Sequence, residues 1–138
     1  MYTRKLGLDY GDVRIGIAVS DLLGVIASAV ETYVRKDEDE DIKHIVGIIK
    51  ERLVDTIVVG LPINMDGTSG IRVEKTKEFM DKLSKFTDAK IVYLDERLTS
   101  VSAERILINA DVRREDRRNI IDKLSAVIIL QDYLDRQK

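Results

Sequence analysis

Carboxylates stand where apolar runs end in this 138-residue chain. Residues 5–21 read KLGLDYGDVRIGIAVSD, in which one apolar run stops at Asp9, Gly11 follows, and a second run begins at Val13. A later run, AKIVYLDE, stops at Asp95 and Glu96. Such carboxylates are hard oxygen donors suited to divalent cations, although a lone strand-end aspartate more commonly forms a turn or caps a helix. Adjacent strand residues point to opposite faces, so only one of Asp95 and Glu96 can serve a shared site. Asp122, in IIDKLSAVIIL, precedes a strongly apolar stretch where an unpaired charge is costly to bury. As a residue near a helix start it would also be favoured by the helix dipole.

The segment GLPINMDGTSG offers a different part. Pro62 fixes the exit from a strand, Gly67 and Gly70 permit close backbone approach, and Thr68 or Ser69 can cap the following helix, leaving backbone N–H groups for a phosphate. A loop that only caps its helix accounts for the same residues. The one dense basic segment, DVRREDRRNIID, carries Arg113, Arg114, Arg117 and Arg118 shortly before Asp122. Its interspersed acids suit a salt-bridged solvated face, and its place beside Asp122 suits contact with backbone phosphates.

These residues must be positioned by an α/β chain. Residues 4–9, 13–20 and 25–34 read as three antiparallel strands, the first two joined by a tight turn at Tyr10, Gly11 and Asp12. Residues 37–53 read as a helix with Ile42, Ile45, Val46, Ile49 and Leu53 inward and an acidic first turn that suits the dipole. His44 falls off that apolar face and is expected at the surface. A strand at 55–60, a loop, a helix over 70–86 with Val73, Phe79, Met80 and Leu83 inward, a strand at 89–96, and helices at about 100–109 and 115–134 complete the order. The later strands join the sheet through crossovers, and ligands of such sheets gather at the carboxyl ends of the strands. Length predicts one domain over residues 1–138. The absence of cysteine excludes a disulfide framework and a thiolate metal site. MYTRK runs straight into a strand with no signal-peptide pattern and no membrane-spanning run, which predicts a soluble, cytoplasmic protein. A net charge of -2 leaves nucleic-acid binding to local basic patches.

Four blocks, LGLDYGDVRIGIAVSD, VVGLPINMDGTSG, LDERLTSVSAERIL and IDKLSAVIILQDYLD, resemble in order those of the YqgF family, the Holliday-junction-resolvase-like nucleases with an RNase H-like fold. The resemblance runs from the first strand to the last helix. It implies a five-stranded mixed sheet of order 3-2-1-4-5 and a nuclease that acts in maturation of the pre-16S rRNA 5′ end, with branched DNA as a further substrate. The family's acidic positions fall on Asp9, Glu96 and Asp122, implied as catalytic residues and as ligands of Mg²⁺ or Mn²⁺. Two such ions can activate water and offset the charge accumulating on a phosphodiester. Arg14 matches the family's RIG as a substrate contact or the partner of an acid. Arg97, Thr99 and Ser100 match as groups that orient Glu96 and cap the next helix, with Arg97 near enough to meet substrate. The loop leaves the strand between those of Asp9 and Glu96, which favours substrate positioning by Asn64, Gly67 and Thr68. Arg117 and Arg118 are expected on substrate phosphates, although Ile120 and Ile121 stand where the family often has lysine. The expected partner is structured rRNA precursor or branched DNA, without a membrane, and the chain is a monomer or a homodimer. Two other classes are compatible with the residues: a non-catalytic nucleic-acid-binding scaffold, and a relative of actin-like ATPases, whose phosphate-binding hairpin LDYGDVRIGIAVSD also resembles. Those ATPases need two lobes, and this chain has room for one.

Overall fold

The structure, a computed structural model, describes residues 2–61, 70–95 and 114–137, and the side chains of all of these except 114–123. Five strands, β1 Arg4–Tyr10, β2 Arg14–Ser20, β3 Ala27–Val34, β4 Val54–Leu61 and β5 Lys90–Asp95, form one mixed sheet of order β3-β2-β1-β4-β5. Strands β1, β2 and β3 pair antiparallel, while β4 lies parallel to β1 and β5 parallel to β4. This is the predicted RNase H-like order. The parallel pairs are reached through helical crossovers, α1 Glu38–Glu51 leading to β4 and α2 Ile71–Leu83 leading to β5. The last helix, α3 Arg114–Arg136, covers the other face.

Strand alternation divides the core in two. Leu6, Leu8, Ile15, Ile17, Ile57 and Val59 pack against Ile45 of α1 and Phe79, Met80 and Leu83 of α2. On the opposite face Ala18 and Val58 pack against Ala126, Ile129, Leu130 and Leu134 of α3. Gly7 lies between them, where an added Cβ would come within 2.8 Å of both the Ala126 carbonyl oxygen and the Leu130 Cβ. The absence of a side chain there lets α3 settle directly on β1. The far end of α3 is tied down by Gln131, whose side chain accepts from the Ala27 N–H at 2.9 Å and donates to the Val25 carbonyl at 2.9 Å.

Three local features depart from the sequence expectations. Strand β3 begins at Ala27 rather than residue 25, because the Asp21 carboxylate accepts the N–H groups of Val25 and Ile26 at 2.8 and 3.2 Å and holds them in a turn. Leu53 is not on the inward stripe of α1; it follows the C-cap Arg52 in the left-handed conformation, φ 57°, and is 49% exposed. Its place on the stripe is taken by Ile48. His44 is half-buried rather than superficial, stacked at 4.1 Å on the Tyr33 ring and paired with Glu31. The predicted helix at 100–109 lies outside the described residues, and no helix of those described is long and apolar enough to cross a membrane.

Candidate active site

Asp9 is the next-to-last residue of β1 and lies half-buried at the carboxyl end of the central strand. Leu6, Leu8 and Tyr10 face α1 and α2, so alternation turns Asp9, like Gly7, toward the α3 side. The antiparallel register pairs Asp9 with Gly16 and Gly16 with Thr32. On β4, Gly60 follows Val58 by two residues and shares its face. The carboxylate therefore stands directly opposite a glycine of β2, with Gly60 of β4 on the same face of the sheet. Arg14 opens β2 two residues before Gly16 and takes the same face.

Asp95 ends β5 in register with Leu61. It alternates with Leu94, which packs on the α3 side, and shares the face of Tyr93, which packs on the α1 and α2 side. Asp95 thus lies on the face away from Asp9. Asp122, Arg117 and Arg118 are residues of α3, Asp122 one turn before Ala126, and their side chains are outside those described. Glu96, Arg97, Thr99 and Ser100, the loop residues Pro62, Asn64, Gly67, Thr68 and Ser69, and Arg113 lie outside the described residues altogether. Among the described residues no three metal-ligating side chains cluster.

Behind Asp9, on the other face of β1, is a polar assembly that the sequence reading missed. The Tyr10 ring packs with the Arg35 guanidinium, 4.6 Å from its centroid, and with the Phe79 ring at 4.8 Å, and Arg35 also lies 5.7 Å from the Phe79 centroid. Arg35 donates through Nη1 to the Gly11 carbonyl at 3.1 Å and through Nε to the Asp41 carboxylate at 2.9 Å. Asp41 is fully buried, and its second oxygen accepts the Lys36 N–H at 2.9 Å. Burial pushes the Asp41 carboxyl upward, but the Lys36 N–H, Arg35 and the Tyr33 hydroxyl together hold it below the ordinary aspartate value. Burial raises the Tyr10 phenol despite the nearby Arg35 charge, so it stays protonated. The available signal was positional: Asp41 precedes Ile45 by four residues and Ile48 by seven, on the inward stripe of α1. A carboxylate on that stripe requires a partner. The acidic run around it concealed this, since Glu38, Asp39 and Glu40 are accounted for by the dipole and Asp37 by its cap bond to the Glu40 N–H.

Residues 3–136 match a family model described as RuvX, Holliday junction resolvase. A Halothermothrix orenii protein provisionally named a pre-16S rRNA nuclease is 52% identical over 134 residues, covering 97% of this chain and 96% of its own. A Halalkalibacterium halodurans protein of the same provisional name is 52% identical over 137 residues, 98% of each chain. Among solved structures, Thermus thermophilus RuvC in complex with a Holliday junction substrate superposes with a TM-score of 0.57 at 11% identity, over 98% of this chain and 96% of that one. The fowlpox virus resolvase bound to Holliday junction DNA gives 0.59 at 9% identity, over 98% and 99%. At such identities the structural likeness speaks for the fold alone.

Proposed function

The chain belongs to the RuvX family of Holliday junction resolvases, and on that premise we propose that it is a metal-dependent nuclease hydrolysing phosphodiester bonds in the maturation of the pre-16S rRNA 5′ end. The observation that carries this reading is the full-length match, at 52% identity, to relatives named for pre-16S rRNA cleavage. The setting of Asp9 gives it physical support. A half-exposed carboxylate with glycine opposite it in register fits a hydrated divalent ion, because the donor is a hard oxygen and the flanking surface leaves room for retained waters. Asp9, Glu96 and Asp122 would hold Mg²⁺ or Mn²⁺, which when bound lowers the pKa of a water and neutralises charge building on the phosphate.

The course of α3 supports the inclusion of Asp122. Ala126 rests on Gly7; one helical turn back from it is Asp122, and two strand residues on from Gly7 is Asp9. These are similar steps, about 6 Å along the helix and about 6.6 Å along the strand. Because Gln131 is anchored at the β2–β3 turn, the step toward 122 runs toward the carboxyl end of β1. The face taken by Asp95 supports Glu96 as the third acid. Arg97 orients Glu96; Arg14, Asn64, Gly67 and Thr68 position the scissile strand, and Arg117 and Arg118 bind flanking phosphates.

The family description favours branched DNA as a second substrate. Resolving a junction takes two cuts, which a symmetric homodimer supplies, whereas a monomer suffices for an RNA precursor. Residues 1–138 are read as one domain acting in the cytoplasm. The test is cleavage of end-labelled pre-16S rRNA, single-stranded RNA and a four-way DNA junction, with and without Mg²⁺ or Mn²⁺, beside Asp9→Ala. Metal-dependent cutting of the precursor is expected, and Asp9→Ala should lower it by at least about 100-fold, more than the loss typical of a residue supporting a metal ligand. A folded protein that binds these nucleic acids without cutting them would instead be a scaffold.

A further inference from the structure

The ladder between β1 and β4 ends at the pair Leu8–Val59, one residue before Asp9. Beyond that point β1 continues its ladder with β2, by the pairs Asp9–Gly16 and Tyr10–Ile15. Parting strands are what opens a ligand crevice in such sheets, and here they part at the segment that carries the central carboxylate. The two residues after Asp9 are both taken by one side chain. Arg35 packs over the Tyr10 and Phe79 rings, and its Nη1 binds the Gly11 carbonyl. Arg35 is itself fixed by the buried Asp41.

We propose that the Arg35–Asp41 pair is a positioning device for the nuclease site, holding the end of β1 so that the Asp9 carboxylate keeps a fixed place for a divalent cation. This rests on Asp9 being a metal ligand. A buried ion pair is a weak source of stability, since desolvation offsets much of the attraction, and apolar replacements of similar volume are often neutral or stabilising. What the pair supplies here that an apolar pair cannot is the directed bond to Gly11. Tyr10 transmits the restraint: it projects from the opposite side of the strand to Asp9, and its ring packs in one cluster with Arg35 and Phe79, which also contact each other at 5.7 Å, so it resists rotation of the strand about its axis.

The experiment separates position from stability. The double variant Arg35→Met, Asp41→Leu removes both charges together; it also leaves the Lys36 N–H and Tyr33 hydroxyl without their acceptor, so it is expected to melt lower than the parent yet stay folded at the assay temperature. Its Mn²⁺ affinity, measured by titration calorimetry without nucleic acid, should fall about 10- to 100-fold, as for other groups that support metal ligands. Precursor cleavage should fall in kcat with KM unchanged, and amide exchange at Gly11 should quicken. A folded double variant with parental Mn²⁺ affinity and kcat overturns the proposal. Should that variant not fold, Arg35→Lys keeps the ion pair without the planar fork that reaches Gly11; the same loss of Mn²⁺ affinity is expected, and parental affinity overturns the proposal. Asp9→Asn runs alongside. If it binds Mn²⁺ as the parent does, the reading of the metal site itself fails and the positioning role falls with it, whatever the Arg35 variants do.

Discussion

At the scale of single residues, Asp41 and Asp55 are carboxylates with structural partners. Asp41 is closed off from solvent, and Asp55 pairs with Lys5 at 2.7 Å at the other end of β1. Burial raises both, and their hydrogen bonds to Lys36 and Arg35, and to Lys5 and Thr3, more than reverse it, so both lie below the ordinary value. The consequence for stability has a definite sign. A depressed folded-state pKa means that the unfolded chain takes up protons first, so the stabilisation is complete above about pH 4 and is lost as pH falls through the lower folded values. The melting temperature should therefore decline as pH falls below about 4. Asp55→Asn, at a side chain 41% exposed and so free of a severe desolvation penalty, should flatten that decline in thermal melts. An unchanged acid profile in Asp55→Asn would assign the loss to other groups.

At the scale of elements, the fit of α3 on β1 depends on one missing side chain. Gly7→Ala would press a methyl to within 2.8 Å of helix backbone, which cannot give as a flexible side chain can. The expected cost is about 1–3 kcal/mol of stability by chemical denaturation. A second consequence concerns cleavage, because moving α3 moves the turn bearing Asp122; activity should fall further than the loss of folded protein explains. The end of α1 offers a change of opposite sign. Leu53 holds a left-handed conformation that disfavours a Cβ, and its side chain is largely in water. Leu53→Gly should leave the protein unchanged in activity and more stable by about 0.5 kcal/mol, the strain relieved being partly offset by the freer unfolded chain. Both elements show what was legible beforehand. Periodicity located α1, α2 and the strands because each buries one face, and the inward residues Val73, Phe79, Met80 and Leu83 of α2 are all buried. It could not foresee that Gly7 meets Ala126, or that Arg35 meets Asp41 and Gly11, since those contacts join elements whose mutual placement no local pattern records. Asp9 was legible as a strand-end acid, and its face became definite only through the packing of Leu8 and Tyr10 on one side of β1 and of Gly7 on the other.

At the scale of the whole molecule, a protein of net charge -2 has no long-range attraction for a polyanion, so binding must come from cations gathered at one end of the sheet. Several cations are committed elsewhere: Lys5 to Asp55, Lys82 to Glu38, Arg136 to Asp132 and Arg35 to Asp41. Arg72 and Lys75 of α2 lie at 3.8 and 4.0 Å from Asp12, in the turn after β1, and their charge is partly offset there. The phosphate contacts assigned to Arg14, Arg117 and Arg118 then form a small set. Each contact releases counterions from the nucleic acid, so the logarithm of the binding constant should fall with the logarithm of salt at a slope of about -2 to -3. Arg14→Ala should reduce that slope by about one while leaving Mn²⁺ affinity intact, and Arg117→Ala should do the same. The measurement is a filter-binding series on precursor RNA in Ca²⁺, or with Asp9→Ala, to prevent turnover. A slope near zero would mean that the substrate is held by groove and base contacts rather than by these arginines. A steeper one would bring in the α2 cations, which can reach phosphate only by releasing Asp12.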